Sequence, residues 1–99
     1  MYRFVAELWL YSGDAPWHFL TLPAEVSDHI RDLTSTSRRA FGSVRVRVNV
    51  GRTTWSTSIF PDSVGRTYVL PVKKSVRVEE GIGVGDTVAV RLTVLDPAE

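Results

Sequence analysis

The chain has 99 residues, of which 43% are hydrophobic and 23% charged, and its formal net charge is +1. This length is typical of one domain with one hydrophobic core, and the composition excludes a disordered tail. The absence of cysteine excludes disulfides, thiolate nucleophiles and cysteine-based metal sites. We therefore expect a single domain over residues 1–99 that needs no cofactor.

The N-terminal residues do not form a secretory signal, since they contain Arg3 and Glu7 and lack a small-residue cleavage site. No apolar run approaches the roughly 18 residues that a membrane helix needs. The sequence therefore predicts a cytoplasmic protein with no membrane partner.

The first half of the chain alternates apolar and polar residues with the period of two that is typical of strands. Residues 2–11 and 17–22 flank the turn-forming cluster 12–15, which predicts a hairpin. Residues 23–33 have apolar side chains spaced by four and three and a proline suited to a first helical turn, so we expect a helix there. The Ser, Thr and Arg residues of 34–39 have nothing to bury and predict a loop.

The strand over residues 43–50 is the clearest in the sequence. Four valines alternate with Arg45, Arg47 and Asn49, which predicts one buried face and one solvent-exposed face. After a turn at Gly51, the β-branched and aromatic residues 53–60 predict the returning arm of a hairpin.

The last third of the chain predicts two further strands, at residues 66–70 and 87–95, with a helical turn at 73–80 between them. The glycines from Gly81 to Gly85 resemble a phosphate-binding loop, but a strand follows them where that mechanism needs a helix. They indicate a helix stop and a tight turn.

Six strands in so short a chain would leave exposed edges in an open sheet, and closure removes those edges. We therefore predict a mainly β fold: a closed six-stranded barrel with one α-helix and one short helical turn.

The two halves of the chain echo each other when they are aligned on a shared Leu-Pro pair. Leu22-Pro23 then falls on Leu70-Pro71, and each pair follows a strand and precedes a helical segment. One interpretation is an internal repeat whose halves pack about a pseudo-twofold axis. The other is chance, because Leu-Pro is a common helix entry.

Five sequence motifs follow one another along the chain: W-H-F-L-T-L-P (17–23), F-G-S-V-R-V-R-V-N-V-G (41–51), W-S-T-S-I-F-P (55–61), Y-V-L-P-V-K-K-S-V-R (68–77) and G-V-G-D-T-V-A-V (83–90). Together they resemble the bacterial domain-of-unknown-function family numbered nineteen hundred and five. The resemblance implies a double-split β-barrel, similar in architecture to the AbrB and MazE class of regulators and antitoxins, which build the barrel from two chains. It implies no activity, because none is established for the family.

The basic residues are unevenly placed along the chain. Residues 38–77 hold nine arginines and lysines against Asp62 alone. Arg45, Arg47 and Arg52 are therefore candidates for contacts with nucleic-acid phosphates. The alternative is that acidic residues on neighbouring strands, such as Glu7 and Asp96, form ordinary cross-strand ion pairs with them.

Several aromatic residues are candidates for a platform on which a flat ligand stacks: Phe41, Trp17, Trp55 and Tyr68. The alternative is that such residues form the core, and Trp9 and Trp17 are expected to fill the barrel. We place the candidate ligand site at the open rim of the barrel, where aromatic faces and cationic donors combine: Trp55, Tyr68, Lys73 and Arg77.

Residues for catalysis are few. His18 and His29 do not repeat at metal-ligand spacing, and Glu25 with His29 indicates a salt bridge more than an active site. The leading hypothesis is a non-catalytic module that binds a small ligand or a protein. The alternative is a nucleic-acid-binding barrel of the AbrB type, and an enzyme comes third. We expect a monomer or a weak homodimer.

Overall fold

The computed structural model describes residues 1–35, 42–62 and 66–95. Within these ranges the chain forms six strands and two helices, in the order β1 (Tyr2–Ser12), β2 (Pro16–Thr21), α1 (Ala24–Leu33), β3 (Val44–Val50), β4 (Thr53–Pro61), β5 (Tyr68–Pro71), α2 (Lys74–Glu80) and β6 (Thr87–Val94). The strands close into an antiparallel barrel in the order β1-β2-β5-β4-β3-β6. The predicted closed six-stranded barrel is confirmed, and the predicted helical turn is a short α-helix.

The core lies inside the barrel and consists mostly of aliphatic side chains. The four valines of β3 are buried, and so are Val88, Val90 and Leu92 of β6. Because the side chains of a strand alternate between its faces, the arginines between these valines point outward. The buried face that the sequence predicts for residues 43–50 is confirmed, and the valines of β6 face the same interior.

The strand order has the pseudo-twofold arrangement that the echo in the sequence indicates. Exchanging β1 with β4, β2 with β5 and β3 with β6 leaves the order of the barrel unchanged. The alignment of the two halves makes Thr21 equivalent to Val69, and these residues lie directly opposite each other in the β2–β5 pair. The pseudo-axis therefore passes between β2 and β5 on one wall and between β3 and β6 on the other.

Each helix supplies a side chain that completes the short β2–β5 ladder. Ser27 of α1 is fully buried, accepts a hydrogen bond from the Tyr68 backbone N–H at 3.1 Å and donates to the Leu22 carbonyl at 3.5 Å. At the other end, Arg77 of α2 donates through Nε to the Val72 carbonyl at 3.3 Å. Both end groups of the ladder are thereby satisfied, as buried backbone groups must be.

The first helix ends at Leu33, and the residue after it is not the solvated loop residue that the sequence predicts. Thr34 is buried at 6% exposure, and its hydroxyl donates to the Ile30 carbonyl at 2.8 Å. The prediction that residues 34–39 bury nothing is therefore wrong at its first position. Residues 36–39 of that loop lie outside the described ranges.

The second helix ends at a glycine, as the sequence predicts. Gly81 adopts the left-handed conformation with φ 64°, and the Ile82 N–H bonds to the Arg77 carbonyl. The Gly83 N–H then bonds to the Asp86 carboxylate at 2.8 Å, which fixes the turn into β6. Neither helix in the described ranges is long and apolar enough to cross a membrane.

Candidate functional site

The outer wall formed by β1, β2, β5 and β4 carries an apolar depression of about 430 Å³, here called the aromatic groove. Its lining comes from the first hairpin and from β4, β5 and the residue after β4: Trp9, Tyr11, Trp17, Phe19, Phe60, Pro61, Asp62 and Val69. Four rings from one hairpin therefore lie on the outside of the barrel.

Strand register builds this groove. Leu8 pairs with Leu20 and both are fully buried, so the next pair along, Trp9 with Phe19, points outward. Two residues further, Tyr11 pairs with Trp17 on the same outer face. Two aromatic cross-strand pairs therefore lie next to each other on one face, where opposite and diagonal side chains are within reach of each other.

The four rings form a nearly continuous surface around Phe19. Its ring centroid lies 5.9 Å from that of Trp17 at an interplanar angle of 5°, a stacked pair. The Trp9 and Tyr11 centroids lie at 5.3 Å and 6.5 Å. Trp9 is held in place because its indole N–H donates to Thr21 Oγ1 at 2.8 Å.

The far end of the groove is open to water and offers hydrogen-bonding groups. Trp17 is 50% exposed and Tyr11 is 51% exposed. Neither the Trp17 indole N–H nor the Tyr11 hydroxyl bonds to another residue in the described part of the chain. The Tyr11 ring lies against Gly13, where an added Cβ would stand 2.7 Å from its Cζ and hydroxyl oxygen. The ring occupies this position because residue 13 has no side chain.

The expectation that Trp9 and Trp17 fill the barrel is wrong. The register of the hairpin puts Leu8 and Leu20 in the interior and therefore turns both indoles outward. Trp55 and Tyr68, in contrast, lie in the core, at 9% and 5% exposure. Phe41, the remaining member of the predicted platform, lies outside the described residues.

The structure does not bring the predicted rim residues together in one place. Trp55 and Lys73 line a cleft of about 180 Å³ that also includes Trp17. Tyr68 lines a different, smaller cleft of about 100 Å³ next to Arg31, whose guanidinium carbon lies 5.9 Å from the Tyr68 ring centroid. Arg77 is bonded to the Val72 carbonyl. The cleft of Trp55 and Lys73 thus adjoins the aromatic groove through Trp17, and that of Tyr68 adjoins it through Pro61, whereas Arg77 lines none of the three.

A second feature lies on the wall formed by β1, β6 and β3, and we call it the arginine face: Arg3, Arg45, Arg47 and Arg91. Arg3 stands directly opposite Arg91 in the β1–β6 pair. Arg91 in turn stands opposite Asn49, and Arg47 is the next outward residue of β3. Arg45 and Arg47 lie side by side, as the alternation predicts, while Arg52 lies at the β3–β4 turn with its backbone N–H on Glu80 Oε2.

No carboxylate pairs with the centre of this face among the described residues. Glu7, a predicted partner, stands opposite Thr87, two outward positions along β1 from Arg3. Arg3, Arg47 and Arg91 form no ion pair or hydrogen bond with any other described residue, while Arg45 contacts Ser58 Oγ at 3.4 Å. The other expected partner, Asp96, lies outside the described ranges together with Arg38 and Arg39.

The two histidines lie apart from both surfaces. His29 of α1 shares a hydrogen bond of 2.5 Å between its Nδ1 and the Tyr2 hydroxyl, and within the described ranges it forms no salt bridge with Glu25, contrary to the sequence prediction. Burial raises the pKa of Tyr2 above its ordinary value. His18 lies on β2 opposite Leu10. Over residues 1–35, 42–62 and 66–95, no three His, Asp or Glu side chains cluster as a metal site would require.

Comparison with known proteins identifies the family of this chain. The model of DUF1905, a domain of unknown function, matches residues 4–92. The chain belongs to this family, as its motifs indicate. No curated protein matches it.

Proposed function

We propose that this DUF1905 domain is a non-catalytic binding module that holds a flat, largely apolar small molecule in the aromatic groove. The observation that carries the proposal is the exposure of Trp17, Tyr11 and Phe60 on one wall of a barrel with a filled interior. Contiguous apolar surface of this kind marks interaction sites on soluble proteins.

The energetics favour a ligand on this surface. A large aromatic side chain buries roughly 150–250 Å², at about 25 cal/mol per Å². A ring that stays half in water therefore forgoes roughly 2–3 kcal/mol that a covering ligand recovers. Two such rings, Tyr11 and Trp17, lie at the open end of the groove.

The shape and chemistry of the groove favour a small molecule. Its volume of about 430 Å³ lies within the roughly 300–1,000 Å³ of small-molecule sites, which combine apolar walls with a few polar groups. The stacked Trp17 and Phe19 rings offer a flat surface. The Trp17 N–H and the Tyr11 hydroxyl, which bond to no other described residue, are polar groups that a ligand in the groove can use. Asp62 is held by the Thr67 hydroxyl at 2.9 Å.

The proposal is tested with two probes, indole and 1-anilinonaphthalene-8-sulfonate, followed by the indole N–H signals of the three tryptophans in NMR spectra. We expect the Trp17 signal to move on titration and that of buried Trp55 to stay in place. Trp17→Ala should weaken binding about tenfold, the effect of losing roughly 1.4 kcal/mol of stacking. Gly13→Ala should weaken it less, because it displaces the Tyr11 ring without removing it.

The matched control is Val78→Ala, which trims another exposed apolar side chain on the remote helix α2. Equal losses for Trp17→Ala and Val78→Ala, or a shift of all three indole signals alike, would contradict the proposal. Sedimentation of the unliganded protein tests whether a second copy of the chain covers the groove. A dimer that Trp17→Ala dissociates would show that a second copy, and not a small molecule, covers the groove.

A further inference from the structure

We infer that the arginine face binds the phosphate backbone of duplex nucleic acid. This site lies on the opposite wall of the barrel from the aromatic groove and does not depend on the function proposed there. The register of three strands, β1, β6 and β3, brings its side chains together from both ends of the chain.

The first argument is the row that the arginines form. Directly opposite residues such as Arg3 and Arg91 are about 5 Å apart, and the diagonal step to Arg47 is about 7–8 Å. A further step of about 7 Å along β3 reaches Arg45. The row therefore spans roughly 19 Å, long enough to face several phosphates of a duplex that carries one charge per about 1.7 Å.

The second argument is the like-charge pair at the centre of the arginine face. Two arginines directly opposite each other in a sheet repel and destabilise the pair. In the described chain no carboxylate relieves the repulsion between Arg3 and Arg91, and neither side chain bonds to another described residue. An anion placed over the pair would relieve it, which is the charge complementarity that a phosphate row supplies.

The third argument is the composition around the arginines. The other outward residues of β3 and β6 are Asn49, Thr87, Ala89 and Thr93, and the adjoining β4 positions are Thr54, Ser56 and Ser58. Hydroxyl and amide side chains are the groups that accompany arginine at phosphates and sugars. The outward faces of β3 and β6, both described in full, carry no aromatic ring. Because single strands are held largely by stacking on such rings, the face fits a duplex.

The test measures binding of labelled duplexes of two unrelated sequences by fluorescence anisotropy at increasing salt. Contacts from Arg3, Arg47 and Arg91 to three phosphates predict a slope of log K against log salt near −2.7, or about a 40-fold loss between roughly 50 and 200 mM. Both duplexes should bind alike. Arg91→Gln and Arg47→Gln should each reduce the slope by about 1.

Lys74→Gln is the matched control, because it removes the same charge from the exposed start of α2. Equal weakening by Lys74→Gln, an unchanged slope in both arginine variants, or tighter binding of the unpaired strands would overturn the inference. Binding to phosphatidylserine vesicles without binding to duplex would overturn it as well. Indole binding in Arg91→Gln and duplex binding in Trp17→Ala should be unchanged, so failure at one surface is distinguishable from failure at the other.

Discussion

Removal of the Ser27 hydroxyl should cost more stability than any other single-oxygen change in the helices. This hydroxyl stands between the Tyr68 N–H and the Leu22 carbonyl and relays a hydrogen bond that the two strands do not make directly. Its side chain is fully buried, so water cannot replace it without reorganisation of the core. Ser27→Ala therefore leaves a buried backbone donor without a partner.

The magnitude follows from the two contacts. An unsatisfied buried donor costs roughly 1–3 kcal/mol, and the long contact of 3.5 Å to Leu22 adds little. Alanine recovers about 0.5 kcal/mol through its higher helix propensity. The net loss is roughly 1–2 kcal/mol, which lowers Tm by about 4–16 °C in a domain of this size.

Thermal and urea unfolding measure the loss, and hydrogen exchange of the Tyr68 amide locates it. Ser75→Ala is the control, because Ser75 is the equivalent of Ser27 in the second half of the repeat but is exposed on α2. Ser75→Ala should leave stability unchanged or raise it slightly. A Ser27→Ala protein within about 0.5 kcal/mol of wild type, or with normal protection of the Tyr68 amide, would refute the reasoning.

Three further outcomes are expected. Arg3→Thr should raise the free energy of unfolding by about 0.2–1 kcal/mol in urea titrations at low salt, because it removes the like-charge cross-strand pair. The gain should be smaller at high salt, and a loss of stability at every salt concentration would contradict the reasoning. Gly51→Ala should lower the free energy of unfolding by roughly 1–3 kcal/mol, since φ is +58° there and the new Cβ would stand 2.8 Å from Cδ of Glu80. Gly81 has φ +64° but lies in open space, so Gly81→Ala should lose only the part that comes from backbone strain. Burial raises the pKa of folded Tyr2 above 10.0. Its contribution to stability is therefore complete below pH 10 and is lost as the pH rises through the folded pKa. Tyr2→Phe should flatten this alkaline decline in stability, measured by unfolding at a series of pH values, and an identical decline in the variant would exclude Tyr2 as its source.

The barrel was predictable because the pattern of its strands is local. Alternation from Val44 to Val50 specifies one buried face whatever the strand pairs with. The Leu-Pro echo likewise places two helix entries at related positions, and the structure has a helix after each. These features depend on neighbours in sequence, so one sequence is enough to reveal them.

The surfaces were harder to predict because they depend on register between distant strands. In β1 both phases of the alternation become apolar near Trp9, and only pairing with β2 decides which phase faces inward. That pairing puts Leu8 and Leu20 in the interior and leaves Trp9 and Phe19 on the outer face. Arg3 and Arg91 lie near opposite ends of the sequence, and no local pattern indicates that they meet.

The pseudo-twofold axis runs through the middle of both candidate surfaces, between Thr21 and Val69 on one wall and between β3 and β6 on the other. In a barrel assembled from two identical chains, every residue beside such an axis occurs twice, so a groove there must be symmetric. A single chain is free of that constraint. The equivalent of Phe19 in the second half is Thr67. Trp9, which stands opposite Phe19, corresponds to Asp62, whose backbone N–H bonds to the Thr67 carbonyl. One half of the molecule thus contributes most of the aromatic rings of the groove, and the other half contributes smaller side chains at its edge. Two identical subunits could not differ in this way.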